Sequence, residues 1–127
     1  QVGFFAPLLR SAAGKCFAAF LPYEQTKELY QRELKEFNIV QSELEKELEV
    51  IRKEMISYRD APYYGIPGSK ALASPVFDYS GKMVASLLVI GFSENMEIDA
   101  CSNEMIMLKE AAKELSKIMS YPEGGGV

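Results

Sequence analysis

Apolar residues recur at three- to four-residue spacing from Ser11 to Met55 and then give way to a strand-like pattern, so the chain reads as helices followed by a hairpin. After an apolar segment at Gly3 to Phe5, Ala12, Ala13, Cys16, Ala19 and Phe20 fall at helical spacing, with Ser11 placed to cap the first turn. Leu21-Pro22 ends this short, Ala-rich helix and restarts a second. In that second helix Tyr30, Leu34 and Phe37 share one face, while Glu24, Lys27, Glu28, Gln31 and Glu33 are expected in solvent, and Asn38 is its stop. Ser42, with Glu45 three residues later, has the form of a capping box, and Leu44, Leu48, Ile51 and Met55 then repeat as the buried stripe of a third helix. The opposite face, with Glu43, Lys46, Glu47, Lys53 and Glu54, reads as wet surface without a specific role.

From Asp60 to Gly68, two prolines and two glycines rule out a regular helix and predict a loop. Lys70 to Tyr79 and Lys82 to Phe92 suit a pleated surface and are joined by Ser80-Gly81, which predicts a two-residue hairpin. In the second of these strands Met83, Ala85, Leu87 and Val89 alternate with Val84, Leu88 and Ile90, so both faces are apolar and both are expected to be covered. Pro75 cannot donate to a ladder and marks an edge or bulge position. Asp99 or Ser102 then opens a helix with the stripe Met105, Leu108, Ala112, Leu115 and Met119, ended by Tyr121-Pro122. The Gly-rich tail, 122–127, is expected to be disordered. The order helix, helix, helix, loop, hairpin, helix implies an α+β fold whose antiparallel sheet is incomplete. One hairpin cannot both flank its second strand and cover its edge, so the missing strands should come from upstream sequence or from a partner.

The remaining composition narrows the function classes. At 127 residues, with 48% apolar and 25% charged residues, the chain is sized for one globular domain. A net charge of −4 and a pI near 4.9 offer no counter-charge for a phosphate backbone, so this segment is not expected to touch DNA itself. The longest apolar stretch, Met83 to Phe92, falls well short of the ~20 residues that cross a bilayer. With no histidine and two separated cysteines, Cys16 and Cys101, neither a metal site nor any cofactor is expected, and a reducing cytoplasm is the simplest setting. Lys15 and Cys16 are candidate nucleophiles, but neighbouring helix positions diverge by about 100° and no base is at hand, so an enzyme is not expected. Because it opens on Gln1 rather than Met, the chain is expected to be a piece of something longer.

Four features in order carry a family resemblance. They are Pro7-Leu8 with Ser11-Ala12-Ala13-Gly14-Lys15 and then Phe20-Leu21-Pro22; Leu48 to Tyr58; Gly68, Ala71-Leu72-Ala73-Ser74-Pro75-Val76-Phe77-Asp78 and Gly81; and a strand ending at Gly91 before Ala111-Ala112-Lys113-Glu114-Leu115 and Tyr121. In these the chain resembles the effector-binding domain of the isocitrate-lyase-regulator (IclR) family of bacterial transcription factors. Leu48 to Tyr58 is similar to the helix and short strand before that family's acidic loop. The resemblance runs from Pro7 to Tyr121. It implies an effector-binding domain over 1–121 with a GAF/profilin-like fold, an antiparallel sheet flanked by helices and incomplete on its N-terminal side.

The resemblance also implies a dimer or tetramer that answers a small organic acid or aromatic effector and reaches DNA only through a winged helix-turn-helix outside this chain, with no membrane contact. Its pocket positions fall on Ala12 and Ala13, whose helix-terminal amides suit a carboxylate, and on Asp60, Ala61, Tyr63, Ser69, Ala71, Leu88 and Ile90. Ala61, Pro62, Tyr63 and Tyr64 replace a run of carboxylates, while Ala71, Leu88 and Ile90 replace polar or thiol contacts. The pocket is therefore less polar than the family pattern, so either the effector is apolar or aromatic, or the pocket is empty. Tyr63 and Tyr64 either cover a ligand or pack the loop on the sheet, and Gly14 either admits a ligand or allows close helix packing. Two readings stay open: a sensing domain of a transcription regulator, and a ligand-free assembly module of the same fold.

Overall fold

The computed structural model describes residues 7–59, 69–92 and 103–120. Their elements are α1 (Ala12–Phe20), α2 (Tyr23–Glu36), α3 (Gln41–Glu54), β1 (Ser57–Arg59), β2 (Ser69–Phe77), β3 (Met83–Phe92) and α4 (Asn103–Ser120). The strands form one antiparallel sheet in the order β1-β2-β3, giving the α+β class that the pattern implies.

Helix α1 lies between the sheet and the pair α2 and α3. Ala12 and Cys16 pack with Ala71, Ala73 and Met83 of the sheet. Ala18 and Ala19, on the other side, join Leu8, Leu9, Tyr30, Leu44, Leu48 and Ile51. Small side chains let the helix fit into this space. The Ser11 cap forms as expected: its Oγ accepts from the Gly14 amide at 2.9 Å and donates to the Pro7 carbonyl at 2.6 Å. Gly14 is a packing residue, since a Cβ there would fall 2.3 Å from the Pro7 oxygen and 2.4 Å from the Leu8 oxygen. At the other end, Arg52 Nε donates to the Ala19 carbonyl at 2.7 Å, a cation on a helix C-terminus.

Several local expectations change. Glu33 is buried rather than solvated, and its carboxylate accepts the Leu8 and Leu9 amides at 3.0 and 2.8 Å. It holds the turn that leads into α1. The capping box at Ser42 and Glu45 is not used: α3 starts two residues earlier, after Val40, with no side-chain cap, and Glu45 instead accepts the Tyr30 hydroxyl. Met55 leaves the buried stripe because it is the C-cap of α3, with φ 63°, and is exposed. Asn38 does stop α2, at φ 53°, in a Schellman pattern where Ile39 N donates to Leu34 O and Asn38 N to Lys35 O.

In the sheet, β2 is central, with β1 paired to Ala71–Ala73 on one side and β3 along its whole length on the other. The short β1 has no periodicity to reveal it. Pro75 lies beyond the end of β1, where no ladder asks for its amide, and close to a register shift at Val76/Phe77. The hairpin turn is longer than two residues: Gly81 N donates to Asp78 O, Asp78 N to Lys82 O, and Gly81 takes φ 81°. That is a three-residue loop closed by a glycine bulge. The Asp78 carboxylate accepts the Ser80 and Lys82 amides and the Ser80 hydroxyl, and these, the hydroxyl foremost, lower its pKa.

Helix α4 covers the other sheet face, with Met105 and Leu108 against Ile56, Leu72 and Leu87. Met119, expected in the stripe, is exposed, because the packed row ends near Ser116, whose Oγ accepts the Phe77 amide at 3.0 Å. The expected starts of this helix at Asp99 or Ser102, the loop 60–68 and the tail 122–127 lie outside the described residues. β3 is only partly covered: Val84, Leu88, Val89 and Ile90 are exposed, since α1 and α4 lie mainly over β2. Among the described residues no strand pairs with its outer edge.

Two substitutions test these contacts by urea unfolding. Glu33→Ala should lose about 3 kcal/mol, as two buried amides lose a charged acceptor. Gly14→Ala should lose about 2 kcal/mol, because backbone carbonyls, rather than flexible side-chain ends, must move.

Candidate functional site

The expected pocket positions converge on one face of the sheet. In the β2–β3 register Ala71 pairs with Ile90 and Ala73 with Leu88, and residues directly opposite each other share a face. Ala12 packs against Ala71 and Ala73, so Ala12, Ala71, Leu88 and Ile90 all belong to the side that α1 covers. They differ in enclosure: Ala12 and Ala71 are 1% and 3% exposed, Leu88 and Ile90 43% and 62%. The Ala13 side chain lines a mostly apolar groove of about 300 Å³ with Leu8, Phe17, Leu21 and Leu29, towards α2. Its amide nevertheless belongs to the same helix terminus as that of Ala12. The Ser69 backbone pairs with Phe92 at the end of β2, whereas Asp60, Ala61 and Tyr63, like Tyr64, lie outside the described residues.

The α1 terminus is arranged for negative charge. Ser11 satisfies the Gly14 amide through its hydroxyl and the Lys15 amide through its carbonyl, at 2.9 and 3.0 Å. The Ala12 and Ala13 amides then have no acceptor within the helix, and the helix dipole adds partial positive charge at this end. Two such amides in a buried setting suit one carboxylate.

Lys15 and Cys16 are both engaged in the structure. Lys15 Nζ is 2.5 Å from a Glu47 carboxylate oxygen and donates to the Tyr58 carbonyl at 2.9 Å, with the Tyr58 ring 5.8 Å away. Glu47 therefore has a specific role on the face of α3 that reads as plain wet surface. The lysine ties α1 to α3 and β1, as a buried cation requires partners. Cys16 is fully buried, and burial pushes its thiol up to about 12, opposed by the Ser86 hydroxyl. A thiol held in its protonated form is not a nucleophile at neutral pH.

Ser57 is a site residue that pattern reading misses, because a three-residue strand carries no usable period. It is 1% exposed, sits opposite Ala73 on the same sheet face, and its hydroxyl has no hydrogen-bond partner. Elsewhere among the described residues, no helix is long and apolar enough to cross a membrane.

The state of Cys16 can be checked directly. Iodoacetamide at pH 8 should leave it unmodified in the folded protein and alkylate it in denaturant. Because the folded thiol keeps its proton above the ordinary value of 9.0, its share of stability is complete below pH 9 and is lost as pH rises towards 12. Unfolding midpoints should fall across that window, and by less in Cys16→Ala.

The chain can now be set beside known proteins. The family model described as bacterial transcriptional regulator IclR C-terminal matches residues 1–117. HmgR from Pseudomonas aeruginosa is similar at 32% identity and a TM-score of 0.82, over 97% of this chain and 49% of that one. Thermotoga maritima IclR follows at 26% identity and 0.71, over 95% and 50%. The C-terminal domain of the E. coli transcriptional regulator KdgR, at 22% identity and 0.72, shares the fold over 94% of this chain and 75% of that domain. No curated protein sequence matches. The chain thus spans about half the length of HmgR and of Thermotoga maritima IclR, and even the KdgR domain extends beyond the match, in keeping with a sheet left incomplete. These likenesses are to transcription regulators rather than to enzymes, and the chain belongs to the IclR family, of which it represents the C-terminal domain.

Proposed function

We propose that residues 1–121 form an effector-sensing and oligomerising domain that binds a small organic acid and thereby controls DNA binding by a winged helix-turn-helix outside this chain. The observation that carries this reading is the α1 terminus, where the Ala12 and Ala13 amides stand beside the sheet face that holds Ala71. A carboxylate would lie on those amides. The rest of the ligand would meet Ala71, Leu88 and Ile90, which favours an apolar or aromatic body. The family pattern adds Asp60, Ala61, Tyr63 and Ser69 to the proposed site.

The effector acts by population shift in this scheme. It binds one arrangement of a homodimer or homotetramer better than another and so changes the spacing of the attached DNA-binding domains. Such a regulator works in the cytoplasm, with no membrane contact and no cofactor.

A second reading, an assembly module without a ligand, is favoured by one specific observation. Leu88 and Ile90, which should line a pocket, are exposed on a strand that has no outer neighbour among the described residues, and such an edge suits strand addition by a partner.

Thermal unfolding of the full-length regulator against aromatic acids and small keto acids separates the two. A ligand at a hundred times its dissociation constant should add about 2.7 kcal/mol. Ile90→Trp, at the exposed position opposite Ala71, should abolish the shift while the protein still melts cooperatively. No shift with either class favours the assembly module.

A further inference from the structure

We propose that the Ser57 hydroxyl is a side-chain hydrogen-bonding group of the effector site, and that it selects organic acids bearing a second oxygen, a hydroxyl or keto group, beyond the carboxylate. The proposal rests on the reading of the α1 terminus as the carboxylate site.

Three observations support it. The first is burial without a partner: Ser57 is 1% exposed and its Oγ makes no hydrogen bond. Buried hydroxyls are nearly always paired, so an orphan one asks for an occupant. The second is direction. Ser57 pairs with Ala73 in the β1–β2 register, which turns its side chain to the face where Ala12 and Cys16 of α1 pack on Ala71 and Ala73. The third is surroundings, since Ala71 and Ala73 place only small apolar side chains on the sheet face that Ser57 shares. With Ala71, Leu88 and Ile90 unable to hydrogen-bond through their side chains, Ser57 supplies a polar contact that those positions lack. A site built to pair a ligand oxygen rejects the analogue without it far better than an apolar wall rejects an added hydroxyl.

The test uses the full-length regulator and four probes: benzoate and its 2-, 3- and 4-hydroxy derivatives, with dissociation constants from calorimetry. The wild type should bind its best hydroxybenzoate about tenfold more tightly than benzoate. Ser57→Ala should bring the two to equal affinity. Ser86→Ala, which removes the other buried hydroxyl without a hydrogen-bond partner on this face among the described residues, should keep the tenfold difference; loss of the difference in Ser86→Ala alone overturns the role of Ser57. If Ser57→Ala keeps the preference, or the wild type binds benzoate without regard to any hydroxyl, the role of Ser57 is overturned while the carboxylate site stands. If no benzoate binds the wild type, the carboxylate site falls and the Ser57 proposal with it.

Discussion

Everything in this domain is arranged around a nine-residue helix that is packed on both sides. Helix α1 meets the sheet with Ala12 and Cys16 and the other helices with Ala18 and Ala19, so neither side tolerates bulk. Close packing of this kind leaves no slack for an added methyl group. It explains why a glycine stands where two carbonyl oxygens approach, and why the one long polar side chain in the layer, Lys15, is satisfied at once by Glu47 and by the Tyr58 carbonyl. Crowding also keeps the helix terminus in register with the sheet, which is what a site assembled from amides and strand residues needs.

The helix start is held from a second direction. Glu33 reaches across from α2 to the Leu8 and Leu9 amides, and Ser11 bonds back to Pro7. The turn before α1 is therefore fastened to α2 through a carboxylate and to α1 through a hydroxyl. A displacement of α2 would be felt at the amides of Ala12 and Ala13 with few flexible joints between. The α1 terminus and α2 are in this way mechanically joined.

Long-period features of this fold are legible in the sequence. Three helices, the hairpin and the last helix follow from spacing alone, as do the Ser11 cap and the Asn38 stop, because each rests on local geometry. Features decided by tertiary contact are not. Glu33 looks like any solvated glutamate on a charged face, and only the approach of the Leu8–Leu9 turn makes it a buried acceptor. Ser42 and Glu45 have the spacing of a capping box, yet Tyr30 claims Glu45 from another helix. Ser57 lies in a strand too short to show a period. Of the expected pocket positions, Ala12, Ala71, Leu88 and Ile90 are brought to one face by register, which a family pattern encodes and hydrophobic periodicity does not.

The two margins of the sheet are chemically unlike. On β1, the Tyr58 carbonyl is already held by a lysine that is itself paired with a glutamate, so a strand arriving there would have to displace a buried charge. On β3, no charged residue occurs between Met83 and Phe92 to discourage an arrival. Among the described residues the two flanks therefore differ in what added backbone would meet: a paired lysine beside β1, and uncharged side chains along β3.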